Sequence, residues 1–143
     1  MYQTNRAYRA NELYGNDKQI TKEEFYKYKY DTYYSTNSVM NYARERFLNE
    51  FKTNDLKLLN ALQVLENWDL GNQKSNRGAA IAQLTFKITY DLDDFDYNLD
   101  VLKNSFIESV DFLLKEFGRV DIELGELQIL KRGNLKLPLD GGP

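Results

Sequence analysis

Histidine and cysteine are both absent from the 143 residues. Without histidine there is no Ser-His-Asp or Cys-His catalysis and no histidine metal site. Without cysteine there is no disulfide and no thiolate ligand, and the chain carries no redox signature of its compartment. Only two prolines occur, Pro138 and Pro143, so nothing earlier is broken by proline. No apolar run approaches the roughly 20 residues of a membrane span. The opening Met1 to Arg6 lacks the apolar stretch of a secretory signal. Basic excess is missing too: the net charge is −3. That argues against general binding to nucleic acid or to an anionic membrane. No internal repeat or low-complexity segment is visible.

What is present reads as one mostly helical domain. Hydrophobic residues make up 42% and charged residues 29%, which are globular proportions. A first helix is expected from Asn5 to Leu13, closed by Gly15 as a left-handed cap. Thr21-Lys22-Glu23-Glu24 is a capping box, opening a helix to about Tyr34 with aromatic stripes along it. Ser35 to Ser38 read as a kink or a new cap. A helix over Val39 to Phe51 follows, then one capped by Thr53 or Asn54 and ending at Trp68. Asp69, Gly71 and Asn72 break the pattern. Ser75 or Asn76 then caps a helix starting with Gly78, Ala79 and Ala80. These small residues are expected to face Trp68 closely, and the stretch from Asn60 to Ala82 organises the rest.

Leu84 to Tyr90 alternates like a strand, yet no turn separates it from the helical Gly78 to Gln83, so one helix to about Tyr90 is favoured. Asn98 opens the clearest helix, with Leu99, Leu102, Phe106, Val110, Leu113 and Phe117 as its stripe and Gly118 after it. In the tail, Glu126 to Lys131 and Leu135 to Leu137 flank Arg132-Gly133-Asn134 as a short hairpin. The fold class is therefore mainly α: residues 1–118 form a helical, bundle-like segment, and residues 119–143 form a β-hairpin tail.

Candidate sites are few. Asp91, Asp93, Asp94 and Asp96 lack the glycine and the closing glutamate of a calcium loop, and an acidic loop before a helix compensates its dipole. No metal or cofactor is expected. Nine of the eleven tyrosines fall within the first 42 residues, beside Lys22, Lys27 and Lys29. Stacked bases are one use of such a surface, but with an acidic chain a helix interface is the better reading. Ser35, Ser38 and Ser75 have no visible activating base and read as caps. Asp69 reads as a helix terminator.

Several stretches together resemble the penicillin acylase family of N-terminal-nucleophile hydrolases, most of all its acyl-homoserine lactone acylase branch. They are Asn5-Arg6-Ala7, the Glu12-Leu13 helix end, ITKEEF, LQVLENWD, SNRGAA, and FGRVDIELGELQILKRGNLKLPLDGGP. The last is the most specific, with its Gly-Glu, Arg-Gly, Leu-Pro and Gly-Gly-Pro steps. The order of these stretches spans essentially the whole chain, although the Asp91 to Asn98 connection is short for the family.

The resemblance implies an internal piece of the catalytic chain of a larger αββα enzyme, periplasmic or secreted. Such enzymes cleave themselves and expose an N-terminal serine. That serine attacks an amide carbonyl with its own amino group as base, releasing an acid and an amine such as a penicillin nucleus or homoserine lactone. The nucleophile and the oxyanion asparagine are expected before Met1, which is then an artificial start. Arg6 is the one position carried over, as a supporting catalytic residue near the serine. Its place at a helix N-terminus is electrostatically poor for a cation, which agrees with a role beyond structure. The implied partners are the rest of the acylase chain and a small N-acyl amide substrate, with no nucleic acid and no membrane. The piece alone is expected to be inactive and to self-associate, as a homodimer through its tyrosine-rich helix. The competing reading is a free-standing helical scaffold or protein-interaction module.

Overall fold

The structure, a computed structural model, describes residues 4–87 and 98–141. Among them are seven helices and one two-stranded antiparallel hairpin, so the chain is mainly helical. The helices are α1 (Asn5–Tyr14), α2 (Lys22–Lys29), α3 (Val39–Glu50), α4 (Leu56–Glu66), α5 (Ala79–Phe86), α6 (Leu99–Phe117) and α7 (Leu124–Leu127). The strands are β1 (Ile129–Arg132) and β2 (Leu135–Pro138).

α5 is the hub. Ala79, Ala80, Ile81, Ala82, Gln83, Thr85 and Phe86 are all buried in its eight residues. Three alanines keep its girth small, so α3, α4 and α6 can all reach it. α6 lies along α5 and buries Leu102, Phe106, Val110 and Leu113, four of the six stripe residues. Leu99 and Phe117, at the two ends, pack on the core only in part. Ser105 Oγ donates to the Thr85 carbonyl at 2.7 Å, and Ser109 Oγ to the Ser105 carbonyl at 2.6 Å. Small hydroxyls at this contact satisfy backbone oxygen while letting the helices close up. Beyond them the core is aromatic. Phe47 stacks on Phe51 at 5.0 Å, meets Phe86 edge-on at 6.0 Å and lies 5.3 Å from Phe106.

The caps follow local chemistry. Thr21 and Glu24 form both halves of the box that opens α2. Ser38 accepts from the Asn41 N–H at α3, and Asn98 from the Val101 N–H at α6. Gly118 closes α6 at φ 74. Arg44 reaches from α3 to the end of α4 and donates to the carbonyls of Leu65 (3.0 Å) and Glu66 (2.7 Å), a cation on the negative end of a helix. Burial lowers its pKa.

Five expectations need correction. α2 stops at Lys29, and the chain continues extended because residues 32–34 pair with the loop after α4. Tyr34 N–H donates to Leu70 O at 2.9 Å, and Asn72 N–H to Thr32 O at 3.0 Å. Tyr34 itself is buried, edge-on to Trp68 at 5.9 Å. Gly15 is right-handed (φ −61), its N–H finishing α1 on the Asn11 carbonyl. Asp55, with a carboxylate that accepts from the Lys57 N–H at 2.9 Å, caps α4 in place of Thr53 or Asn54. The same helix ends at Glu66, ahead of Trp68. Glu126 belongs to α7, where its carboxylate accepts from the Glu123 N–H, so the hairpin begins at Ile129. α5 is helical to Phe86, while Ile88 to Tyr90 and the acidic Asp91 to Asp96 loop lie outside the described residues.

Candidate functional site

Arg6 sits in the first turn of α1, two residues after the Thr4 cap, and is exposed. It makes no hydrogen bond or ion pair among the described residues. The side chains that fix this turn lie beside it. Asn5, Arg9 and Glu12 recur at i, i+4 and i+7 and share one face of α1. That face meets the extended segment after α2.

Asn5 Oδ1 accepts from the Ser35 N–H at 2.7 Å. Arg9 grips Asp31 with two bonds, Nε to Oδ2 at 3.0 Å and Nη2 to Oδ1 at 2.7 Å, and gives Nη1 to Glu12 at 2.7 Å. Its guanidinium lies 5.8 Å from the Tyr33 ring centroid. The Asp31 hydrogen bond raises the arginine pKa, against the opposing effect of burial. A bidentate pair of this kind fixes orientation as well as distance.

The other oxygen of Glu12 accepts from Ser35 Oγ, and that hydroxyl accepts from the Asn37 N–H at 2.9 Å. A serine donating to a carboxylate invites a nucleophile reading. Ser35 is fully buried, however, so no substrate carbonyl can reach it. It cross-links α1 to the segment leading into α3. Ser38 is a helix cap, as its spacing suggests, and Ser75 lies exposed in a turn. Asp69 organises its loop, accepting from the Gly71 N–H at 2.9 Å and from Asn76 at 2.8 Å. The N-cap position of α5 is Gly78, which has no side chain to cap it, and the Asn76 side chain two residues earlier accepts from the Gly78 and Ala79 N–H groups.

A second assembly was missed from sequence. The loop after Trp68 and the C-terminal tail are sewn together by bonds between residues far apart in the chain. Gly125 N–H donates to Lys74 O at 2.7 Å and Leu124 N–H to Asn76 O at 3.0 Å. Lys74 N–H returns to the Asp140 carboxylate at 2.6 Å, and Gly141 N–H to Asn72 O at 2.7 Å. A Cβ added at Gly125 would lie 2.9 Å from Pro138 and 3.1 Å from Lys74, so only glycine fits between them.

Beneath this seam runs a chain of amides. Gln128 donates to Gln83 at 2.6 Å, Gln83 to Asn72 at 2.8 Å, and Asn72 to the Thr32 carbonyl at 3.1 Å. Asn72 and Gln83 are buried, and each donor finds its acceptor. Isolated glutamines carry no periodic signal, so no pattern in the sequence could have announced this ladder.

Among the described residues no cluster of acidic side chains could hold a metal ion, and no helix is long and apolar enough to cross a membrane. No protein-family model matches the chain, and no curated protein matches it.

Proposed function

We propose that this chain is part of an N-acyl amide hydrolase of the penicillin acylase type, acting on penicillins or N-acyl-homoserine lactones through an N-terminal serine outside these residues. The proposal rests on the resemblance in sequence. The structural observation that supports it is the seam between Asn72–Asn76 and Leu124–Gly141. One bond of this seam, Leu124 N–H on Asn76 O, joins the SNRGAA stretch of the resemblance directly to its C-terminal stretch.

Arg6 is proposed as the supporting catalytic residue. Its turn is fixed by Asn5 on Ser35 and by the Arg9–Asp31 grip one turn later, while its own charge is left unspent. A guanidinium held in this way suits electrostatic support of a reacting group brought by the rest of the enzyme. The chain's own serines supply no nucleophile in this scheme.

The test uses the uninterrupted reading frame that contains this chain. Mass analysis should find self-cleavage leaving an N-terminal serine. Arg6→Ala should lower kcat/KM for amide hydrolysis by tenfold or more with folding unchanged, about 1.4 kcal/mol of transition-state stabilisation. Full activity in Arg6→Ala would remove Arg6 from the site. A frame that neither self-cleaves nor hydrolyses either substrate class would overturn the acylase reading.

The other reading, a helical interaction module, is favoured by one observation: α1 and α2 bury no residue of their own while Phe25, Tyr26 and Tyr30 stay exposed.

A further inference from the structure

α1 buries none of its own residues, so the ties at its Arg6 end are polar. Asn5 Oδ1 accepts from the Ser35 N–H at 2.7 Å, and Glu12 takes the Ser35 hydroxyl. Both of these bonds converge on one residue, and two ties to one point leave the helix free to turn about it. The third tie goes elsewhere. Arg9 forks onto Asp31, Nε to Oδ2 at 3.0 Å and Nη2 to Oδ1 at 2.7 Å. Two parallel bonds from a planar guanidinium fix direction as well as distance, so this fork stops the turn that Ser35 leaves open. Arg6 stands between Asn5 and Arg9, within the stretch that the fork orients.

Asp31 is itself anchored toward the core. Its Oδ2 also accepts from the Tyr33 N–H at 3.4 Å. The residues on either side of Tyr33 pair with the loop beyond Trp68, Asn72 N–H to Thr32 O at 3.0 Å and Tyr34 N–H to Leu70 O at 2.9 Å. Tyr34, Trp68 and Leu70 are buried. Placement therefore passes from the core to Asp31, from Asp31 to Arg9, and along α1 to Arg6. Asp31 acts on charge as well. Arg6 and Arg9 are three apart on one helix, where like charges repel. With Asp31 and Glu12 on its guanidinium, Arg9 neither pushes Arg6 aside nor competes with it for an anionic group.

We infer, resting on the acylase reading proposed above, that Asp31 is the positioning residue for Arg6. It acts through Arg9 rather than on substrate. An arginine that supports charge developing in a transition state has to be in place before the charge appears. A misplacement of about 1 Å at such a group costs on the order of a hundredfold in rate. The loss falls on kcat, because the interaction is made in the transition state and adds little to the binding of substrate.

The experiment is a double-mutant cycle in the full reading frame that contains this chain, with kcat and KM for amide hydrolysis measured separately. Asp31→Ala should lower kcat about fivefold or more and leave KM within about twofold. In an Arg6→Ala background the same substitution should change kcat by less than about twofold, since no guanidinium is left to misplace. A role confined to folding would cost the same factor in both backgrounds. Arg9→Lys keeps the charge and loses the fork, so it should repeat both results, and it takes the place of Asp31→Ala if that variant does not fold. Full kcat in Asp31→Ala or Arg9→Lys, or an equal loss with and without Arg6, would overturn the inference and leave the acylase reading standing. Full activity in Arg6→Ala would take Arg6 out of the site, and a frame without hydrolysis would end the acylase reading. Either of these, recognised from the Arg6→Ala and wild-type controls, removes the positioning role as well.

Discussion

Trp68 shows how much one residue can fix. It is 3% exposed, its indole N–H donates to Gly71 O at 2.8 Å, and Tyr34 lies edge-on to it. Between the two, Leu70 is held at φ 67, a left-handed value that costs a non-glycine residue on the order of 1–2 kcal/mol. The cost is offset locally. The Leu70 side chain is buried, and its carbonyl receives Tyr34. On the far side a Cβ at Gly78 would stand 2.6 Å from the Trp68 Cβ. Chemical unfolding should therefore show Gly78→Ala destabilised by about 1–3 kcal/mol through overpacking. Trp68→Ala should lose about 3–5 kcal/mol through the cavity left behind. A Gly78→Ala protein as stable as the wild type would mean the two residues do not touch.

At the scale of elements, local signals fared best where nothing distant competed with them. The Thr21–Glu24 box, the Ser38 and Asn98 caps and the α6 stripe were all legible, because each is decided within a turn or two of chain. α2 was overextended for the opposite reason. Tyr30, Tyr33 and Tyr34 continue a helical stripe, but backbone pairing with residues 70–72 draws the chain straight. Glu126 reads as hairpin from sequence because a single helical turn is too short to show a period. The proposed role of Arg6 rests on the resemblance alone, whereas the Arg9–Asp31 grip and the Gln83 ladder bridge distant residues and have no local signature.

α2 also carries a pH-dependent contact. Tyr28 OH donates to Asp17 at 2.7 Å, and this bond pushes the phenol up to about 12 from the usual 10. The folded value lies above the unfolded one, so its stabilising effect is complete below about pH 10. It is lost as pH rises toward 12. The near-ultraviolet tyrosinate signal of the folded chain should contain a late-titrating component that Tyr28→Phe removes. An unchanged late limb in Tyr28→Phe would disprove the contact.

The whole molecule has two grades of cohesion. α3 to α6 share an apolar core around Phe47, Phe86 and Phe106. α1 and α2 contribute no buried residue to it: α1 is held through the polar seam of Asn5, Arg9 and Glu12 on Asp31 and Ser35, and α2 meets α1 where the Tyr28 ring lies 5.7 Å from that of Tyr14. Polar contacts at a partly exposed site are worth far less than apolar burial on this scale. In native-state hydrogen exchange the amides of α1 and α2 should open well below the global unfolding free energy, while those of α5 and α6 should open with it. Equal protection across all of them would mean that the seam binds as firmly as the core.

The same division shapes the functional account. A firm helical body, with a tail sewn to its central loop, presents an outer turn bearing Arg6. Its serines stay out of reach or committed to caps and turns. The most direct measurement is release of amine from an N-acyl-homoserine lactone and from a penicillin, by this chain alone and by the full reading frame that contains it, side by side. The account predicts turnover by the full frame and none by the 143 residues. Turnover by the 143-residue chain that disappears in Ser35→Ala, Ser38→Ala or Ser75→Ala, or no turnover by the full frame on either substrate, would contradict it.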